Sequence, residues 1–446
     1  MKRKLFCLMV VGMCMLFLSP GPALAEDVLK VGVIGPTKIT YGRQAWQGAQ
    51  FAEETINQAG GIQLKDKKYK VKVIKADSNC YASTPDAMAA MERLVTVDKV
   101  DVVVGGVRSE STIPMMDIAG DNKRLFLILP SADLEISSRI AEDYDRLKYC
   151  FRPSFTTTGT ARTLMAGFTA MTRQVKAQLG VERPKVALVA IQLKFGDTLI
   201  NFWKKILPAL GVDVVGVWRP AQSASDVTAE LTAIKAAGAH IILAALVGPV
   251  EPVLVKQWGE MQIPAALYGL ILNGTTDEFY EGTNGFANYM ATFGNCAAVP
   301  LTERTLPYYT AFQKRYNEAP STGATNMYSA IMFWKDMAER AGSVDSDVLV
   351  PVLEKADNEI GTVINYTFTK PGSPNPHDAV WGPKASGLIQ QWRDGKMKVV
   401  WPDGHELHPV LIKAMGCPTG FEGVRYEGTV DYVVPPWAVK YWKNKK

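Results

Sequence analysis

The residues best placed to do chemistry lie between positions 101 and 135 of this 446-residue chain. Ser109, Ser111 and Thr112 follow Gly105-Gly106, and Ser131-Ala132-Asp133 follows Pro130. Each group comes just after a short apolar run, residues 100–104 and 125–129. Hydroxyls at a helix start, together with first-turn N–H groups that lack an internal partner, suit a carboxylate or another anion. Arg108 beside them would add a bidentate donor for a carboxylate. The same residues read equally well as a helix cap, a turn and a surface arginine, and their spacing alone does not choose.

Other chemistries lack their residues. There is no GxxxxGK[ST], no GxGxxG after the first apolar run and no GxSxG. The histidines are His240, His377, His405 and His408. In His405-Glu406-Leu407-His408 the two rings stand three apart, whereas a zinc-binding helix needs them four apart. No metal or cofactor is expected, and no nucleophile or acid/base constellation points to an enzyme.

These residues must be held by a sheet. Residues 29–34, 70–75, 100–104 and 125–129 read as buried strands, and residues 41–57 and 84–94 between them have helical periodicity. Ala45, Ala49, Ala52 and Ile56 mark the buried side of the first helix, which Gly60-Gly61 ends. The alternation restarts after residue 153, with strands expected at 185–190, 212–217, 239–246 and 265–272. Residues 306–317, 325–340 and 345–356 then read as helices, and 388–400 as a hairpin about Asp394-Gly395. Strands alternating with helices of this length imply an α/β protein with two doubly wound, Rossmann-like lobes. Residues 403–446 form a C-terminal tail.

Residues 1–25 stand apart as a secretory signal. Lys2-Arg3-Lys4 precedes an apolar run, and Ala23-Leu24-Ala25 predicts cleavage after Ala25. Cys14 follows Met13 rather than a small residue, so lipid-linked processing there is not expected. Losing Lys2, Arg3 and Lys4 takes the formal charge from +5 to +2, which argues against a nucleic-acid partner. Cys80, Cys150, Cys296 and Cys417 remain, and four cysteines allow three pairings.

The first helix, with Tyr41-Gly42, Gln44, Gly48-Ala49, Ala52, Glu54, Ile56-Asn57 and Gly60-Gly61-Ile62, resembles that of the substrate-binding proteins of branched-chain amino acid ABC importers. Asp77 with Cys80, Gly105 to Thr112 read as GGxxSxST, Pro130-Ser131-Ala132 and Phe195-Gly196-Asp197 extend the resemblance. It covers roughly residues 28–402 and implies a type I periplasmic binding protein, with two lobes joined by three crossover strands. Lobe one would comprise residues 27–151 and 299–363, lobe two residues 152–298 and 364–402, and the tail would lie outside both.

The resemblance further implies a periplasmic protein that binds a small amino acid or related apolar carboxylate between its lobes and passes it to a membrane permease. A ligand-sensing receptor of the same fold is the alternative. Carried over residue by residue, Ser109 would hold the ligand carboxylate, and Ser131, Ala132 and Asp133 would share that task. Tyr41 and Phe195 would line the cleft, one from each lobe.

The sequence departs from this pattern in three places. The acid that pairs with a ligand amino group should fall at 270–272, where Leu270, Ile271 and Leu272 stand. A tyrosine expected near Val247 or Gly248 is missing too. Either the ligand lacks an amino group, or Asp133 or Glu251 replaces the acid, since a buried ammonium without a partner is costly. Arg108 stands where the family has the cysteine that pairs with the equivalent of Cys80. Cys150 and Cys296 both fall on expected lobe crossings, which suggests a disulfide between them.

Overall fold

The computed structural model describes residues 28–192 and 194–445. The signal segment lies outside them, and so do the side chains of Lys194 and Phe195.

The first sheet is built from β1 (Val28–Gly35), β2 (Ile62–Leu64), β3 (Lys67–Asp77), β4 (Val102–Gly105), β5 (Leu125–Ile128) and β6 (Cys150–Phe151), in the order β2-β3-β1-β4-β5-β6. All its pairs are parallel except β2 with β3. Every residue of β4 and β5 is buried, as β-branched and apolar runs covered on both faces must be. Alternate side chains enter opposite cores. Val102 and Val104 meet Ala45, Ala49 and Ala52 of the helix Thr40–Gln58 together with residues of the helix Thr322–Ala341. Val103 faces Met115 and Met116 of the helix Ser109–Asp121. Gly48 lets the first two of those helices touch, because a Cβ there would lie 2.1 Å from the carbonyl oxygen of Ala324.

The second sheet takes β7 (Lys185–Ala190), β8 (Asp213–Trp218), β9 (Ile241–Leu246), β10 (Ala266–Ile271) and β11 (Ala291–Gly294). After the small pair β12 (Glu359–Ile360) and β13 (Asn365–Tyr366), it is completed by β14 (Leu388–Arg393) and β15 (Lys396–Trp401). Its order is β15-β14-β11-β10-β9-β7-β8. The strands from β7 to β11 pair in parallel, and β14 and β15 add an antiparallel hairpin. Asp394 and Gly395 turn it with φ of 49° and 73°, the left-handed pair that a two-residue hairpin requires.

The chain therefore passes between the two sheet units three times. It leaves the first after β6, and returns after β11 to add the helices Thr305–Tyr316, Thr322–Ala341 and Ser346–Glu354. Tyr308, Phe312, Trp334 and Leu349 of these helices belong to the first core. A last passage reaches β14.

The tail packs on the second unit. Leu411, Phe421, Tyr432, Val434 and Ala438 join its core, and the indole N–H groups of Trp437 and Trp442 donate to the carbonyls of Ile263 and Pro264 at 2.9 and 2.6 Å. Val430 donates its N–H to Val399 of β15 at 2.9 Å, so the tail covers a strand that would otherwise be an open sheet edge.

One expectation is corrected. Cys150 and Cys296 are not bonded to each other, and all four cysteines are free and buried. Cys150 faces the same core as Met115, while Cys296 faces that of Val102, on the other side of the sheet. Among the described residues no helix is long and apolar enough to cross a membrane.

Candidate ligand-binding site

A cavity of about 710 Å³ lies between the two units. Ile39, Thr40, Tyr41 and Tyr81 wall it on one side, and loops that follow β9 and β10 wall it on the other. Tyr41 belongs to the first turn of the helix Thr40–Gln58, which has no side-chain cap and no acidic residue in that turn. Its ring lies against Gly323, burial pushes its phenol up, and a hydrogen bond with Asn326 offsets part of that shift.

Across the gap, Val247, Pro249, Leu272 and Phe279 make an apolar wall with Asn273 and Thr276 among them. Leu272 stands in the stretch where the sequence pattern asked for an acid. Glu251 is fully buried behind this wall. It accepts hydrogen bonds from the backbone N–H groups of Gly248 at 2.6 Å and Asn273 at 2.8 Å, tying the two loops together. Burial raises its carboxyl to about 7 despite those donors. Glu251 thus shapes the wall without lining the cavity. Among the described residues that do line it, the carboxylate is that of Glu278, which pairs with Arg43 of the first helix at 3.0 Å.

The residues singled out from the sequence divide. Tyr41 lines the cavity, whereas Arg108, Ser109, Ser131, Ala132 and Asp133 are not among its lining residues. Ser109 begins its helix as expected, and its Oγ accepts the N–H of Asp133 at 3.3 Å, which brings the helix start and the turn together. The buried Ser131 hydroxyl is 2.5 Å from that of Thr112. Ala132 accepts the N–H and hydroxyl of Thr157 through its carbonyl, and Asp133 accepts the N–H of Glu135 at 2.9 Å. Arg108 donates to the carbonyl of Cys80 at 3.4 Å, pairs with Glu110, and stands 5.7 Å from the centre of the Tyr81 ring. It buttresses a residue of the cavity wall. Phe195 lies in the helix Lys194–Ile206, but its side chain falls outside the described residues.

Among the described residues no group of His, Cys, Asp and Glu is arranged to hold an ion. His408 instead caps the helix Pro409–Met415, accepting the N–H of Val410 at 3.2 Å.

Comparison with known proteins follows the same lines. The family model described as periplasmic binding protein matches residues 29–379. The chain belongs to that family. An amino acid binding protein of Pseudomonas aeruginosa is 31% identical over 247 residues, which is 54% of this chain and 60%, under two thirds, of that relative. A Leu/Ile/Val-binding protein homolog of Brucella melitensis is 24% identical over 83% of this chain and 92% of its own. The branched-chain amino acid transporter substrate-binding protein of Streptococcus pneumoniae, solved with isoleucine, superposes with a TM-score of 0.67 at 20% identity, covering 84% of this chain and 99% of that one. An ABC-transporter solute-binding protein of Rhodopseudomonas palustris, solved with 3,4-dihydroxybenzoic acid, gives 0.64 at 19% identity, covering 83% and 95%. The family is one of binding proteins, and these relatives are substrate-binding proteins rather than enzymes.

In this binding protein the passages between lobes are pinned by groups that the sequence did not announce. Arg152 follows β6 and donates to the carboxylate of Asp378, on the last passage, at 2.7 Å. Its other nitrogens reach the carbonyls of Ser131 and Asp133 and the hydroxyl of Ser137. The candidate anion turn is therefore held from behind, with two of its carbonyls directed at a guanidinium. Beside it, His377 stacks on Phe151 with centroids 3.9 Å apart and bonds the Cys150 carbonyl and Glu354.

Proposed function

We propose that this binding protein is the solute-binding component of an ABC importer. It is exported, cleaved after Ala25, and takes a small amino acid or related apolar carboxylate into the cleft for delivery to a membrane permease. The lobes are those anticipated above, residues 27–151 with 299–363 and residues 152–298 with 364–402. The observation that carries this reading is the interlobe cavity, whose volume of about 710 Å³ falls in the range usual for small-ligand sites. Its walls come from both lobes, so an occupant touches both and favours the closed form.

In this reading Val247, Leu272 and Phe279 take the apolar part of the ligand, and Tyr41 and Tyr81 frame it. Ser109 and the turn Ser131, Ala132 and Asp133 take the carboxylate, with Arg108 behind Tyr81. The test is calorimetry and thermal shift on the protein from Glu26 onward, with leucine, isoleucine, valine, their 2-oxo analogues and benzoate. A ligand that binds only the folded state raises the melting temperature in a concentration-dependent way. Stabilisation by at least one of these compounds is expected, and none by any of them would overturn the proposal.

A further inference from the structure

Among the described residues, the carboxylate that lines the cleft already has its charge met from the opposite lobe. Glu278 lies in the first turn of the helix Asp277–Gly282 and lines the cavity. Arg43, 235 residues earlier and on the first helix of the other lobe, donates to it at 3.0 Å. The two side chains are 55% and 60% exposed, so the pair sits at the mouth of the cleft rather than within a core.

No second acid among the described residues stands ready to replace Glu278. Both oxygens of Glu251 are taken by the N–H groups of Gly248 and Asn273 in a fully buried position. Asp133 accepts the N–H of Glu135 and is not among the lining residues. The stretch from Leu270 to Leu272 offers only hydrocarbon.

This arrangement makes two classes of ligand unequal. A compound with an ammonium group meets here a carboxylate whose Oε2 already accepts from Arg43, so it must share that charge with the guanidinium or break a contact between the lobes. A carboxylate without an amino group leaves the pair intact and places no buried ammonium against the apolar wall. We infer that Arg43 is a specificity-determining residue. By holding Glu278 across the cleft, it turns the cavity towards carboxylates that carry no amino group. The inference rests on the cleft being the ligand site, as proposed above, and adds what decides between ligands there.

The experiment compares leucine with 4-methyl-2-oxopentanoate, which differs from it only at the α-position, by calorimetry at low ionic strength. Wild type, Arg43→Gln, Glu278→Gln and the double variant are measured together. Both side chains are exposed, so all four should melt alike, and any variant that does not is replaced by Arg43→Ala or Glu278→Ala. Wild type should favour the oxo acid. Arg43→Gln should shift the affinity ratio towards leucine by about fivefold, the upper end for an exposed ion pair. The double variant should return the ratio to that of Glu278→Gln alone. A wild type that favours leucine, a ratio unmoved by Arg43→Gln, or a shift that persists in the double variant would each overturn the inference while leaving the cleft as the ligand site. If no compound of the full panel above binds the wild type, the cleft reading itself fails and this inference with it.

Discussion

Arg152 and Asp378 meet at 2.7 Å with 1% and 8% of their side chains exposed, although 226 residues separate them in the chain. The first and last passages between the lobes are thus joined by an ion pair that water does not screen. Ser137 donates to the same carboxylate at 2.8 Å, and Arg152 reaches back to the carbonyl of Asp133 at 2.6 Å. Removing one partner leaves a buried charge without compensation. Arg152→Met is expected to lower stability by about 3–5 kcal/mol, whereas Arg152→Met with Asp378→Leu should lose much less. Urea denaturation of the single and double variants measures the difference.

Glu251 gives stability a pH dependence. Folding raises its carboxyl from 4.5 to about 7, so between those values the folded chain binds a proton that the unfolded chain has released. Its contribution is most favourable below pH 4.5 and falls as pH rises towards 7, by about 3 kcal/mol in all. Above 7 it changes no further. Glu251→Gln should flatten this part of the profile. Thermal melts from about pH 5 to about pH 8 check it, and the variant's melting temperature should fall less across that range than the wild type's.

Ser109→Ala should weaken ligand binding by about 1–3 kcal/mol, as loss of a hydrogen bond to a charged group does. The same change also removes the acceptor for the Asp133 N–H. Calorimetry should therefore show lower affinity with little change in melting temperature, because both groups lie at the surface edge of the turn.

In the proposed site Arg108 would act on the ligand through Tyr81. Its guanidinium is already engaged by Glu110, by the Cys80 carbonyl and by the Tyr81 ring. Arg108→Ala should therefore weaken a carboxylate ligand and its neutral amide by similar factors. A direct contact would instead make the carboxylate suffer more, and paired titrations of the two compounds separate these cases.

Truncation after Pro402 should destabilise the second lobe by several kcal/mol. It strips Phe421, Tyr432 and Val434 from the core, and each such side chain contributes about 1.5–3 kcal/mol when fully buried. It also bares the edge of β15, so the truncated protein should melt lower and associate at high concentration. Scanning calorimetry with light scattering checks both.

The architecture was legible because it depends on local pattern. Gly105-Gly106 marked the end of a buried strand, and both residues do adopt positive φ, with a Cβ on Gly105 falling 1.9 Å from the Ile34 carbonyl. Asp394-Gly395 marked the hairpin for the same kind of reason. The cleft was legible at Tyr41, whose place is set by the start of a long amphipathic helix, and at Val247, Gly248 and Leu272, which the resemblance placed beside the ligand. Tyr81, Asn273 and Thr276 sit on loops after strands and Glu278 on a short helix, where no periodicity reports which way a side chain points. Arg152 with Asp378, and Arg43 with Glu278, are joined by folding alone, and nothing between them in sequence registers the distance. The supposed bond between Cys150 and Cys296 failed for a related reason, since adjacency of two crossings does not say which face of a sheet each cysteine takes.

The interleaving of the two lobes has a consequence for how the protein comes into being. The first sheet can pair its strands once residue 151 has been made, but the helices that close one of its faces run from Thr305 to Ala341. The second sheet waits longer, for a hairpin ending at Trp401 and a tail that packs through Trp442. Neither half can bury its core until most of the chain exists. Contacts of such long range form late, so the chain stays open until its synthesis is nearly complete.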